Sequence, residues 1–318
     1  MKKVIITGIT GMIGGHLAGL MSKKGVEIVG ISRATSLARY SIRRPNYIHY
    51  QGDIMDTKFL RMVWNSFKPD IVYHLAAQAY NGESWKAEDT TYQLNIQGAK
   101  NVFEICREYS PKARIIPACS SAEYGIVPKK YIPIKEEKVP LRPITPYGVS
   151  KSAMEMMARQ FCLNYKMDFV LPRLFIHLGP NHPPVTAIQN FAMQLASIKL
   201  GFQEPKIRVG NLKTARDFVD VRDGVKALWL LSEKGVPGEV YNICSGKIYT
   251  IEESLEMLIQ ISGLDVKVVI DPTLFRLSDE KILLGDPSKI EKLGWRTKIS
   301  FKQTLQDIYN NWLNRLKN

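Results

Sequence analysis

Apolar residues recur along this chain in two alternating rhythms. Short β-branched runs at residues 4–7, 27–31, 71–74, 114–118 and 168–172 predict strands. Between them, residues 13–24, 58–67, 92–108 and 147–165 carry helical spacing. Strands that are apolar throughout and alternate with helices predict a parallel, doubly wound α/β sheet with both faces covered. The rhythm breaks after Gly179. Pro180, Pro183 and Pro184 predict a loop, residues 186–200 a helix, and a helix over 223–233 with a strand over 240–245 return to the sheet. Thr250 and Glu253 have capping-box spacing at the start of another helix, and residues 300–316 read as a final amphipathic helix. The expected division is a sheet domain over residues 1–180, rejoined by 214–247. A smaller α/β C-terminal domain then comes from 181–213 and 248–318 and closes over the carboxyl edge of the sheet.

Composition narrows the class without naming it. The 318 residues are 45% apolar and 23% charged, as in ordinary globular proteins. No apolar stretch approaches the roughly 20 residues of a membrane span. Met1-Lys2-Lys3 leads straight into a strand and a glycine-rich turn, without the apolar core of a signal peptide, so a cytoplasmic protein is expected. Cys106, Cys119, Cys162 and Cys244 are scattered and read as reduced thiols; neither they nor the five histidines show metal-ligand spacing, and no metal is expected. The net charge of +14 is spread along the chain with no basic tail, which argues against a nucleic-acid partner. A few of those cations can serve a small anionic ligand.

The N-terminal turn supplies such a ligand. Thr7-Gly8-Ile9-Thr10-Gly11-Met12-Ile13-Gly14 joins the first strand to the first helix. Glycines at 8, 11 and 14 let backbone amides approach a pyrophosphate at the positive end of the helix. Their spacing differs from the G-x-G-x-x-G of other dinucleotide folds, but their place between the first strand and the first helix predicts a Rossmann-type dinucleotide site. At the tip of the second strand, where NAD sites place a carboxylate, the chain has Ser32 and Arg33. Their hydroxyl and guanidinium suit a 2′-phosphate, so the expected cofactor is NADP(H) and residues 1–180 become its domain. Asp53, followed by Ile54, is placed to meet the adenine amino group. Leu75, Ala76 and Ala77 are placed to let the dinucleotide lie against the backbone.

Tyr147-Gly148-Val149-Ser150-Lys151 carries the chemistry. Thr145-Pro146 caps its helix, and Tyr147 and Lys151, four apart, share a face. An ammonium beside a phenol is expected to lower a pKa that starts near 10. Such a tyrosine exchanges a proton with a sugar hydroxyl while nicotinamide exchanges hydride. The third hydroxyl comes from Cys119-Ser120-Ser121-Ala122-Glu123-Tyr124-Gly125, with Ser120 on the reacting oxygen and Ser121 beside it.

On these residues, with Asn95 and His74, the chain resembles the extended short-chain dehydrogenase/reductases over essentially its whole length. Residues 142–143, 146–151, 203–205, 209–212 and 216–223 are similar to the branch acting on GDP-mannose derivatives. The resemblance implies reduction of a GDP-4-keto-6-deoxy-hexose at C4, to a GDP-rhamnose type of product. Nucleotide-sugar 4-epimerisation, GDP-mannose 4,6-dehydration and a non-catalytic dinucleotide sensor are the alternatives. Sugar-nucleotide dehydratases carry an acid two residues after the catalytic Ser/Thr; here that position is Ala122 and the acid is Glu123, offset by one. Ile176 stands where the family often has a substrate-binding asparagine, with His177 beside it. By resemblance, Ser121, Glu123, His177, Asn190, Lys199, Arg208, Arg216, Arg276 and Asp279 are candidate substrate contacts. The resemblance also implies a homodimer through a four-helix bundle of the helices at 92–108 and 147–165.

Overall fold

The computed structural model describes residues 1–33, 47–275 and 280–317. Its strands begin with β1 (Lys3–Thr7), β2 (Glu27–Ser32), β3 (Tyr47–Gln51), β4 (Ile71–His74), β5 (Arg114–Pro117), β6 (Cys119–Ser120), β7 (Asp168–Phe169) and β8 (Leu171–Leu174). There follow β9 (Ile176–Leu178), β10 (Lys206–Val209), β11 (Ala215–Asp220), β12 (Val240–Ile243), β13 (Ile248–Thr250), β14 (Lys267–Ile270) and β15 (Ile282–Leu283). The helices on the first half are α1 (Met12–Met21), α2 (Thr57–Phe67), α3 (Asn81–Ser84), α4 (Glu88–Tyr92), α5 (Gly98–Tyr109) and α6 (Pro146–Tyr165). The second half adds α7 (Ala187–Lys199), α8 (Val221–Lys234), α9 (Ile251–Ser262), α10 (Ser288–Glu291) and α11 (Phe301–Lys317).

The main sheet runs β3-β2-β1-β4-β5-β7, all parallel, as the alternating rhythm predicts. The strand expected over 168–172 changes partner at Val170: β7 pairs β5, whereas β8 pairs β6 and β12. This step advances β6, and Ser120 at its end, beyond the carboxyl edge of β4.

Both faces of the sheet are covered, which is why its strands are apolar throughout. Val4 and Ile6 pack toward α1 and α8, while Ile5 packs toward α2, α5 and α6. Burying each such side chain contributes about 1.5–3 kcal/mol. A separate apolar cluster joins α7, α9 and α11, with Phe218 stacked on Phe301 at 5.0 Å between centroids. Among the described residues no helix is long and apolar enough to cross a membrane.

The predicted caps form. Thr145 accepts the Gly148 amide with Pro146 in the first turn, and Thr250 and Glu253 make a reciprocal capping box. The helix expected over 92–108 differs in one respect, for it contains a π-helical turn at Gln93–Gln97. That wider turn buries Asn95, whose amide donates to the Gln78 carbonyl and the Ser150 hydroxyl, both at 2.9 Å.

Candidate active site

The glycine turn is shaped by close backbone contacts. Gly8 has φ +73°, and a Cβ there would lie 2.7 Å from the Ala76 amide nitrogen. A Cβ on Gly14 would meet the Gly8 carbonyl oxygen at 2.5 Å, so α1 starts against the turn. Gly11 caps α1 without a side chain, and the first turn carries no acid. The amides of Met12, Ile13 and Gly14 therefore have no intrahelical acceptor, and the positive helix end is left for an anion. Leu75 and Ala76 close the cradle: their amides donate to the carbonyl and the hydroxyl of Thr7, with Ala77 next along the partly exposed turn.

At the tip of β2, Ser32 is buried and bonded to His49 at 2.8 Å, whereas Arg33 is exposed. A hydroxyl beside an exposed guanidinium fits a phosphate, and with the glycine cradle the residues fit a phosphorylated dinucleotide. Asp53 uses one carboxylate oxygen to accept the Met55 amide at 2.9 Å. The side chain of Ile54 lies in the core against Gly98, so it is the main chain of this residue that can meet a ligand.

Ser120, Tyr147 and Lys151 come together at the ends of β6 and α6. The Ser120 hydroxyl accepts the Ala122 amide at 3.2 Å and lies close enough to the phenol of Tyr147 to favour its ionised form. The expected effect of Lys151 on that phenol is not met. Lys151 is buried, its ammonium donates to the Ala118 carbonyl at 2.8 Å, and it sits 5.8 Å from the Tyr147 ring centroid. Burial therefore dominates: it pushes the phenol up to about 12, against the effect of the Ser120 hydroxyl. The same burial lowers the pKa of Lys151.

The turn after Ser120 sorts two neighbours. Ser121–Glu123 is a single 3₁₀ turn in which Ala122 is partly exposed and Glu123 fully buried. Glu123 is not a substrate contact here, because its carboxyl turns back to accept the Ser120 amide at 2.6 Å. Ser121 is buried beside it, and Gly125, at φ +61°, brings the chain so close to Arg142 that a Cβ would overlap its carbonyl oxygen.

The other predicted contacts divide. Asn190 and Arg208 line one open cleft of about 520 Å³, with Gln194, Lys206, Asp271 and Leu274 among their neighbours. Lys199, at the exposed end of α7, is not part of its lining. Arg216 is buried and spends its guanidinium on the Glu280 and Ala215 carbonyls, with the Glu280 carboxylate 3.7 Å away. His177 is buried too, its Nδ1 bonded to the Phe175 carbonyl at 2.8 Å. Ile176 is partly exposed on β9, beside Phe218 of β11. Arg276 and Asp279 lie outside the described residues. Sequence reasoning missed Gln194, Lys206 and Asp271, which converge from three separate segments with no local motif. It also missed the structural use of Glu123, although Ser120 to Glu123 has the same spacing as Thr250 to Glu253.

A family model described as GDP-mannose 4,6 dehydratase matches residues 5–308. The chain belongs to that family. Among curated relatives, the GDP-6-deoxy-D-mannose reductase of Pseudomonas aeruginosa is 29% identical over 317 residues, covering 99% of each chain. GDP-mannose 4,6 dehydratase 1 of Arabidopsis thaliana is 31% identical, covering 96% of this chain and 88% of that protein. Among solved structures, RMD from Pseudomonas aeruginosa complexed with NADPH superposes with a TM-score of 0.86 at 28% identity, over 99% of this chain and 100% of that one. The Thermus thermophilus UDP-glucose 4-epimerase complex with NAD gives 0.87 at 25% identity, over 98% of both chains. These relatives and structural neighbours share the fold while differing in reaction, and the choice among reactions rests on the site.

Proposed function

We propose that this protein is an NADP(H)-dependent nucleotide-sugar oxidoreductase that reduces a GDP-4-keto-6-deoxy-hexose at C4. The observation carrying the choice is the Ser121–Glu123 turn: its partly exposed member, Ala122, has no carboxylate, and the acid next to it is buried under Ser120. Dehydration needs an acid or base at the sugar's C5 and C6; ketone reduction does not. Epimerisation needs the same three catalytic groups as reduction and remains the second reading.

When bound, nicotinamide supplies the hydride that reaches C4. Ser120 hydrogen-bonds the ketone oxygen, and Tyr147 gives that oxygen its phenolic proton, completing the alcohol. A phenol held near 12 is protonated at neutral pH, which suits a donor. Lys151, four residues on, offers positive charge to the phenolate left behind. Gly8, Gly11, Gly14 and the first amides of α1 hold the pyrophosphate, with Thr10 in the turn, and Ser32 and Arg33 take the 2′-phosphate. The cleft of Asn190, Lys206 and Arg208 suits the diphosphate and nucleoside of the substrate. In this reading residues 1–180 and 214–247 bind the cofactor, and 181–213 and 248–318 the substrate.

The protein is further proposed to be a cytoplasmic homodimer. Val149, Met156 and Leu163, seven apart on α6, are 41%, 59% and 70% exposed, an apolar stripe suited to a partner's α6. Product analysis on three substrates tests the function. The keto sugar with NADPH should yield a 6-deoxy-hexose, and Tyr147→Phe should lower its formation by roughly 10²–10⁴-fold. GDP-mannose with NADP⁺, or a UDP-hexose with NAD⁺, yielding the main product would overturn it.

A further inference from the structure

Behind the Ser120–Tyr147 pair, Glu123, Glu155 of α6 and Arg173 of β8 are sealed from solvent, each 3% exposed or less. Arg173 grips Glu155 with two parallel bonds, Nε to Oε2 at 2.8 Å and Nη2 to Oε1 at 2.6 Å. Its third nitrogen donates to the Tyr124 hydroxyl at 2.8 Å, and Arg159 adds a bond to Glu155 from the rim at 3.0 Å. Glu123 stands outside this pairing. The Arg173 Nε is 3.9 Å from its Oε2, which accepts no hydrogen bond and lies beside the Glu155 carboxylate, while Oε1 accepts the Ser120 amide.

Charge counting then decides the state of Glu123. The buried guanidinium is matched by Glu155 and the Lys151 ammonium is bonded to the Ala118 carbonyl, so an ionised Glu123 would be a buried charge with no cation bonded to it. The groups facing Glu123 are Cys119 from β6, Tyr147, Lys151 and Glu155 from α6, and Arg173 from β8, with Arg159 bonded to Glu155 at the rim. Burial, then the neighbouring Glu155, holds the Glu123 carboxyl well above the usual range. Glu155, despite its burial, is held low by its bond to Arg173. The Cys119 sulfur and the Glu123 and Glu155 oxygens lie within 4.8 Å of one another. The adjacent guanidinium repels a cation there, so the cluster is not read as a metal site.

We propose that Glu123 is a positioning residue: as a neutral carboxylic acid, braced by the Arg173–Glu155 ion pair, it clamps the Ser120 main chain and so aims the hydroxyl that holds Tyr147. The neutral form makes the clamp without placing negative charge beside the phenol, where it would hold the proton back. The inference rests on the catalytic reading of Ser120 and Tyr147.

The test uses Glu123→Gln, Glu123→Leu and Ser120→Ala in the full chain. Glutamine keeps a neutral acceptor, so its kcat should stay within about twofold. Leucine should lower kcat by roughly 10- to 100-fold, the cost of a misplaced group, with KM and NADPH affinity nearly unchanged. In the Ser120→Ala background the leucine change should cost almost nothing further. Two measurements do not need turnover. Infrared spectra of the wild type at neutral pH should show a protonated-carboxyl band that Glu123→Gln lacks. Amide exchange of residues 119–124 should quicken in Glu123→Leu but not in Glu123→Gln. Absence of that band, or loss of activity in Glu123→Gln as deep as in Glu123→Leu, overturns the proposal. If Glu123→Leu does not fold, the glutamine variant and the infrared band still decide it. A wild type inactive on nucleotide sugars would sink the functional reading alone, leaving the clamp to the infrared and exchange results.

Discussion

Replacing Gly8 by alanine tests the cofactor cradle at the point where the structure is tightest. The residue has φ +73°, which costs alanine about 1–2 kcal/mol. The new methyl group would lie 2.7 Å from the Ala76 nitrogen and 2.8 Å from the carbonyl carbon and oxygen of Leu75. All three obstacles are backbone, so relief requires moving the end of β4 rather than rotating a side chain. Overpacking of this kind costs typically ~1–3 kcal/mol. The sum is about 2–5 kcal/mol, or roughly 5–15 °C in Tm for a chain of this size. The displaced segment also carries Leu75–Ala77, so NADPH affinity should fall together with Tm. Thermal melts with and without NADPH, and cofactor fluorescence titration, read both effects. Gly19→Ala is the control: it sits in α1 with nothing within 4 Å of its Cβ position, and should raise stability by about 0.5–1 kcal/mol. A Gly8→Ala protein that melts and binds NADPH like the wild type would refute this geometry.

Three further outcomes follow from the same structure. Arg173→Met leaves buried Glu155 with only Arg159 at the rim and should cost about 3 kcal/mol in urea unfolding, part of which Glu155→Gln should restore. Arg33→Ala should weaken NADPH binding by roughly 10- to 100-fold while leaving NADH binding nearly unchanged, as loss of one charged phosphate contact requires; equal losses for both cofactors would exclude the 2′-phosphate role. His74 makes stability fall in acid: burial, and then Lys151, hold its pKa at about 3 against 6.5 when unfolded. Its contribution is complete above pH 6.5 and is lost as pH falls toward 3, so unfolding free energy at pH 5 should lie about 2 kcal/mol below its neutral value. A flat profile from pH 7 to 5 would contradict the neutral, buried His74.

The parallel sheet and its helices were legible because strands buried on both faces, such as β1 and β4, have no polar side to blur the pattern. Tyr147 and Lys151 were legible because one helix sets their spacing. The electrostatics between them was not: whether the ammonium faces the phenol or the Ala118 carbonyl depends on where β5 ends, which helical spacing does not encode. The fate of Arg216 was hidden for a similar reason. Its guanidinium is taken by Glu280, 64 residues away, and no local pattern joins the two. The cleft containing Asn190 and Arg208 also draws on Gln203, Glu204 and Asp271, so it exists only once α7, β10 and β14 are brought together. Glu123 is the opposite case: its Ser-x-x-Glu spacing was in plain view, but the resemblance assigned its carboxylate to the substrate rather than to the cap it makes on Ser120.

The central claim, reduction without dehydration, is tested most directly by mixing the protein with GDP-4-keto-6-deoxy-mannose and NADPH and following the reduced-nicotinamide absorbance. The account predicts one NADPH oxidised for each sugar reduced. Conversion of the sugar with no net loss of NADPH, or no conversion at all, would contradict it.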